Sequence, residues 1–218
     1  MATFDLFGDS SRCNITVGYI STDRGFVDGI GIHEANKLGI KVLVTDHHLP
    51  GKELPDATVI VNPNLKGSNF GSKNLAGVGV AFYVMAALGR LLENNGQSGA
   101  SKVPARYLDL VALGTIADVV PLDRNNRILV HQGINHIRSG RTVPGISALL
   151  RISNKENDLV VSDDLGFSIG PRLNAAGRLD DISIGIECLL TDDVKQAEIL
   201  AKELDQINRK RKTIEEKM

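Results

Sequence analysis

Apolar residues recur along this chain with three different rhythms, and each rhythm names an element. Ile15 to Thr22 is rich in β-branched residues and runs straight into Asp23-Arg24-Gly25, which predicts a strand with an acidic residue at its C-terminal end. Ile30, Glu34, Ala35 and Leu38 then fit one helical face, and Gly39 supplies the residue that helices use to stop. Lys41 to Thr45 is a short Val- and Leu-rich run of the buried parallel type that breaks off at Asp46-His47-His48. The sequence from 15 to 48 therefore reads as strand, helix, strand. Ala57 to Val61 predicts one more strand, followed by Asn62-Pro63-Asn64 and a loop rich in Gly, Ser and Asn over Leu65 to Asn74.

Beyond Leu75 the period becomes helical. A helix is predicted from about Ala76 to Leu92, then a polar, glycine-containing break from Asn94 to Ser101. Apolar segments follow at Tyr107 to Ala117, Ile128 to Ile137 and Gly145 to Ile152, with turns expected at Asp123-Arg124-Asn125-Asn126 and Ser139-Gly140. From Val194 onward, Ala197, Leu200, Ala201, Leu204, Ile207, Arg211 and Ile214 keep helical spacing with no stop signal. No repeat or low-complexity segment interrupts the chain. The expected fold class is α/β: a partial parallel sheet with flanking helices, then a mostly helical part and a long C-terminal connecting helix.

Composition narrows the class without naming a chemistry. With 218 residues, 42% hydrophobic and 23% charged, the chain can build a core for one large or two small domains. It contains no apolar run of about 18 residues and no secretory signal pattern, so no membrane partner and a cytoplasmic location are expected. Cys13 and Cys188 stand apart in unrelated contexts, which fits plain thiols and not a disulfide framework. A net charge of -1 gives no global attraction to nucleic acid, so such binding has to come from local clusters of Arg and Lys.

Open parallel sheets place their ligands outside the carboxyl ends of the strands, where Asp23 and Asp46-His47-His48 fall. Asp118 lies in the otherwise apolar stretch Ala112 to Leu122, where a lone carboxylate calls for a partner, a metal being one. Carboxylates with an imidazole suit Mn²⁺ or Mg²⁺. Two such ions about 3.5 to 4 Å apart activate water and stabilise the oxygen leaving phosphorus. For a lone Asp at a strand end, the competing readings are a helix cap or a turn; for the histidines, a satisfied structural role.

These residues also carry a resemblance. Thr45-Asp46-His47-His48-Leu49-Pro50-Gly51, with Asn62-Pro63-Asn64 and Leu75 to Val80, resembles the third motif region of the DHH phosphoesterase superfamily in its RecJ branch. Leu110 to Leu122 resembles the fourth motif, and Gly170 to Arg178 a further stretch of that branch. The similarity spans roughly 23 to 218. It implies a DHH domain over 23–150, a helical DNA-facing segment over 151–193 and the start of an interdomain connecting helix over 194–218, with 1–22 unrecognised. It implies a two-metal site for Mn²⁺ or Mg²⁺, with Asp23 bridging the metals and His47 and Asp118 as ligands. His48 would contact the scissile phosphate, and Asp46 would orient the adjacent histidine. Arg172, Asn174 and Arg178 would face DNA, the competing reading being a helix start held by salt bridges. Backbone N–H groups at Gly77 and Gly79 could approach a phosphate, with tight helix packing as the alternative. Arg209 to Lys212 reads first as a solvated helix face.

The implied activity is 5′ to 3′ hydrolysis of single-stranded DNA in repair and recombination, with single-stranded DNA as substrate and repair or single-strand-binding proteins as partners. Two alternatives remain at this point: a phosphoesterase acting on oligonucleotides or small phosphate substrates, and a non-catalytic nucleic-acid-binding relative. The family's first motif, an aspartate pair, has no match in the 22 residues before Asp23; Asp5 and Asp9 do not fit it, and Arg24 stands where the family expects Asn. A truncated or misjoined N-terminus, a weak or inactive nuclease, and a connecting helix with nothing to dock on are the resulting expectations.

Overall fold

The computed structural model describes residues 29–179 and 181–216; the strand expected over 15–22, Cys13 and Asp23 lie outside the described residues. The described residues divide into two compact units, one ending at Val84 and one starting at Met85.

In the first unit, helix α1 (Gly29–Lys37) leads to strand β1 (Leu43–Thr45), which pairs in parallel with β2 (Val59–Val61). α1 ends as its sequence requires. Gly39 takes φ 71°, its N–H bonds to the Asn36 carbonyl at 3.0 Å, and the Ile40 N–H reaches back to Ala35 at 2.9 Å. These two bonds satisfy carbonyls that the helix leaves open, and a residue with a Cβ would be strained at that φ. The register sets Leu43 against Val59, Val44 against Ile60 and Thr45 against Val61. Ile32 from α1 closes over Val42 and Val44, with Ala35, Ala57 and Ile60 around them. The strands are shorter than their apolar runs, because only the residues in ladder register count as strand.

Helix α2 (Gly77–Asn94) begins in the first unit and ends in the second. The second unit is helical throughout its described residues: α3 (Leu108–Ala117), α4 (Arg124–Arg138), α5 (Pro144–Ile152), α6 (Gly170–Leu179), α7 (Ser183–Leu190) and α8 (Val194–Glu215). The turn expected at 123–126 is instead a helix start. Asp123 caps α4 by accepting the Asn126 N–H at 2.9 Å, so the helix opens four residues before its first exposed apolar position, Ile128. α3 packs on α4 at a spacing that Gly133 permits: a Cβ there would sit 2.1 Å from the Leu108 carbonyl oxygen and 2.4 Å from the Ala112 Cβ.

The core of this unit is one cluster, including Leu113, Ile134, Ile137, Ile146, Leu149, Leu165 and Leu204. α8 packs against α5, α6 and α7 through Ala197, Leu200, Ala201 and Leu204. The apolar stripe read from the sequence is buried from Ala197 to Ile207 and exposed at Ile214, so about the first four turns of the helix do dock, which corrects the expectation of a connecting helix with nothing to dock on. Cys188 is fully buried, and burial pushes its thiol up to about 11, so it stays protonated and inert at neutral pH.

A fully buried carboxylate, Asp109, ties the start of α3 to the loop before α5. It accepts the Leu110 N–H at 2.8 Å, the Thr142 hydroxyl at 2.8 Å and the Val143 N–H at 2.9 Å. The fold is thus the expected α/β class: a small parallel sheet followed by a mostly helical part. Among the described residues no helix is long and apolar enough to cross a membrane.

Candidate active site

Parallel pairing brings the C-terminal ends of β1 and β2 side by side, and the polar cluster of the first unit grows from those two ends. The ladder continues one residue past β1, where the Asp46 N–H bonds to the Val61 carbonyl at 3.0 Å. The chain then folds back on the Asp46 side chain. Asp46 Oδ1 accepts the N–H of His47 at 2.7 Å, the N–H of His48 at 3.1 Å and the ring Nδ1 of His48 at 2.8 Å, while Asn62 Nδ2 donates to Oδ2 at 3.2 Å. A carboxylate with four donors has little acceptor capacity left.

Burial pushes the Asp46 carboxyl up, but the bonds from the His48 ring and from the His48 and His47 N–H groups outweigh it. Its pKa lies below the ordinary value. An ionised Asp46 selects the His48 tautomer with the proton on Nδ1, which leaves Nε2 as the working atom. The His48 side chain remains 28% exposed, and the His47 ring lies against it at 4.2 Å between centroids.

Two asparagines complete this framework and were not singled out as site residues from the sequence. Buried Asn62 donates to the His48 carbonyl at 2.8 Å and accepts the Asn64 N–H at 2.8 Å; Asn64 donates to the His47 carbonyl at 2.7 Å. Lys73 locks the turn from below, donating to the carbonyls of Pro63 and Ser68. The signal was present in Asn62-Pro63-Asn64 directly after a strand: short amides at a strand end serve neighbouring backbone, and parallel pairing makes the neighbour the end of β1.

Asp118 belongs to the second unit, where it caps the C-terminus of α3 with its N–H on the Gly114 carbonyl at 3.0 Å. The expectation of a carboxylate enclosed by apolar residues does not hold. Asp118 is exposed, because the apolar surface of α3 ends at Ala117 and the chain turns away at Val119. Two features still mark this position. A carboxylate at a helix C-terminus meets the negative end of the helix dipole, so a cation there is favoured. Val119 is 86% exposed with φ 56°, a left-handed conformation that costs a β-branched residue energy.

The DNA-facing candidates divide. Arg172 on α6 donates from Nε to Asp205 Oδ1 at 2.9 Å, pairs with the same carboxylate through its second terminal nitrogen at 2.7 Å, and donates to the Ser168 carbonyl at 2.5 Å. Its side chain is 15% exposed. That geometry matches the salt-bridged reading of the segment, and Asp205, a buried acid within the α8 stripe, is the partner the sequence did not reveal. Arg209 shares Asp205 Oδ2 at 2.7 Å while its own side chain is mostly exposed. Asn174 is exposed on α6; of Arg178 only its place in that helix is described. Gly77 and Gly79 are buried in the first turn of α2, and a Cβ on Gly79 would meet Leu75 Cδ2 at 3.1 Å, so packing alone accounts for that glycine.

The donor chemistry of imidazoles and carboxylates fits a hard or borderline divalent ion. Among the described residues, no group of three His, Cys, Asp or Glu side chains comes together to hold one unaided. Asp23, the expected bridging ligand, lies outside them.

Comparison with known proteins supplies the family. Residues 14–115 match the model of the DHH family, N-terminal domain. The chain is 54% identical over 203 residues to a single-stranded-DNA-specific exonuclease RecJ of Salmonella typhimurium, covering 91% of this chain and 35% of that protein. The identity to the Bacillus subtilis protein of the same name is 38% over 202 residues, covering 91% and 24%. The chain thus spans about a third or less of the length of these curated relatives. Among solved structures, RecJ from Thermus thermophilus in complex with Mn²⁺ superposes with a TM-score of 0.78 at 36% identity, covering 93% of this chain and 29% of that one. A crystal structure of exonuclease RecJ bound to manganese gives 0.75 at 37%, covering 88% and 46%. With the motif strings, the Asp46-centred turn and both units matched together, the chain belongs to the DHH family, on its RecJ branch.

Proposed function

We propose that this chain carries the metal-dependent phosphodiesterase part of a single-strand-specific DNA exonuclease, acting 5′ to 3′ in repair and recombination. One observation carries the reading: Asp46, saturated by four donors, holds His48 by Nδ1 at the end of β1, with the tilted ring of His47 beside it. Holding an imidazole this firmly on an exposed rim is what a phosphate-handling site needs, since its rate depends on groups placed in advance.

In this reading Asp23, His47 and Asp118 hold Mn²⁺ or Mg²⁺. Two such ions supply an activated water and charge stabilisation at phosphorus. The chain's own residues do the rest. Asp46 keeps the Nδ1 proton of His48 in place and steadies the ring when it takes up a second proton on Nε2; in that imidazolium form the Nε2–H, directed at the scissile phosphate, would give its proton to the departing oxygen and return the ring to the neutral Nδ1–H tautomer. Asn62 and Asn64 fix the backbone carbonyls of both histidines, so the rings do not drift. Asp118, at the negative end of α3, gains from a cation what the helix dipole withholds.

Asn174 and Arg178 are proposed to meet the strand directly, whereas Arg172 positions α6 through Asp205. The first-turn amide of Gly77 is a further candidate for a phosphate contact. The proposed domain limits are 23–150 for the DHH domain, 151–193 for the DNA-facing segment and 194–218 for the connecting helix. The substrate is single-stranded DNA, the location the cytoplasm, and the partners repair or single-strand-binding proteins.

Digestion of a labelled single strand in Mn²⁺ tests the reading. Slow release of mononucleotides from single-stranded but not duplex DNA is expected, and His48→Ala should lower it by about a hundredfold or more, the scale of one general acid. Release that is insensitive to both Mn²⁺ chelation and His48→Ala would overturn it.

A further inference from the structure

A second cluster of charge sits at the opposite end of α3 from Asp118. The short 3-10 turn Ala100–Lys102 supplies Lys102, the next turn Pro104–Tyr107 supplies Arg106, and the loop after α4 supplies Arg141. With Ala105 and with His136 from the last turn of α4, they line a cavity of about 300 Å³. α3 is ten residues long, so this cavity and Asp118 are separated by about 15 Å along the helix.

Among the described residues, no carboxylate pairs with any of the three cations, and Arg141 makes only a side-chain bond from Nε to the Ser139 hydroxyl at 3.0 Å. The carboxylates that act on this region are occupied. Glu93, which attracts Lys102, accepts the N–H groups of Gly99 at 3.4 Å and Ser101 at 3.1 Å, and Asp109, which attracts His136, is filled by Leu110, Thr142 and Val143.

His136 adds an independent observation. Its Nδ1 is buried and meets no hydrogen-bond partner, a state that native structures rarely leave unexplained. Burial lowers its pKa, the positive Arg141 lowers it further, and Asp109 opposes both. The ring is thus held in a positive field that an anion would reverse.

We propose that this cavity binds a phosphate group. Guanidinium forks match phosphate oxygens two at a time, and a phosphate monoester brings about −2 charge and three acceptors to three cationic donors. A single carboxylate brings half that charge. The volume is at the lower limit of ligand pockets, enough for a phosphate with its sugar. The charge argument favours a phosphate monoester, as in a nucleoside monophosphate; a backbone phosphodiester carries one negative charge, offers the same oxygen geometry to the guanidinium forks and is the weaker fit. The inference stands apart from the proposed nuclease reading, because none of its residues is placed in that machinery.

The test is a titration of the 218-residue chain with inorganic phosphate in metal-free buffer at constant ionic strength, followed by the NMR signal of the His136 ring. Exposed His33 on α1 serves as the control. A saturable shift of His136 but not of His33 is expected. Arg106→Gln and Arg141→Gln, both at exposed positions, should each weaken binding by about tenfold, the size of one lost charge-assisted contact. Thymidine 5′-monophosphate and an oligothymidylate without terminal phosphate then separate the two sources: a shift with the oligomer assigns a backbone phosphodiester, a shift with the monophosphate alone a free nucleotide. The proposal is overturned if phosphate leaves His136 unmoved, if both variants bind like the wild type, or if acetate or an acidic peptide reproduces the shift at the same concentration.

Discussion

At the scale of single residues, electrostatics decide more than hydrophobicity does. Asp46 and Asp164 are both acids whose burial is outweighed by their donors. For Asp164, burial raises the carboxyl, but the side chain of Lys155 at 2.8 Å and the N–H of Val161 at 3.0 Å bring it below its ordinary 3.8. An acid with a depressed folded pKa stabilises the fold above its unfolded value and ceases to do so as pH falls through the folded one. Asp164→Asn should therefore lower the melting temperature at pH 7 and leave the protein less sensitive to acid between about pH 5 and pH 2, which melting curves across that range would check. A variant that keeps the wild-type slope in that range would show that Asp164 carries no such linkage. Asp46→Ala removes the acceptor for the His48 Nδ1 proton, and the cost of leaving that group and two N–H donors short is about 1–3 kcal/mol. Chemical denaturation of the variant measures it, and a change within error would mean that the turn is held by Asn62 and Asn64 alone.

At the scale of elements, glycine and capping chemistry determine where helices lie and how closely they approach. Gly133 looks unfavourable on propensity, since glycine in a helix costs about 1 kcal/mol against alanine. Its place against the Leu108 carbonyl and Ala112 reverses the sign: Gly133→Ala should destabilise by about 1–3 kcal/mol through overpacking of α3 on α4. A melting temperature that rises instead would show that the two helices can separate without cost. Element boundaries were legible where a residue has a single physical use, as with Gly39 at the end of α1. They were not legible where a polar residue has two. Asp123 reads as a turn and acts as a cap, and Arg172 reads as a DNA contact but spends its fork on Asp205. The two ambiguities differ in origin: Asp123 bonds Asn126 three residues on, a local bond that a turn and a cap share, whereas the Asp205 partner of Arg172 lies 33 residues away and only the fold selects it. Asp205→Asn should free Arg172 and Arg209 together, weakening the α6 to α8 contact while leaving two cations on the surface. Loss of stability with tighter, more salt-sensitive binding of single-stranded DNA is the expected pair of outcomes. Loss of stability without a change in DNA binding would confine both arginines to a structural role.

At the scale of the whole molecule, the polar cluster at the end of β1 was legible in the sequence, and the framework that braces it was not. Asp46, His47 and His48 were legible because a short apolar run stopping at three polar residues has few other uses in a parallel sheet, and the sheet forms as expected in β1 and β2. The supporting amides were not legible, since Asn62-Pro63-Asn64 becomes a brace only once β2 lies beside β1. Asp118 was read as a charge in an apolar setting and is instead an exposed cap on α3, so its proposed role as a metal ligand rests on the helix dipole alone. The account as a whole turns on these groups binding a divalent ion, and calorimetric titration of Mn²⁺ into the wild-type chain and into His47→Ala and Asp118→Ala tests that most directly. The predicted result is binding that each substitution weakens by about tenfold or more, the usual cost of losing a ligand or its support. Equal Mn²⁺ affinity in all three proteins would contradict it.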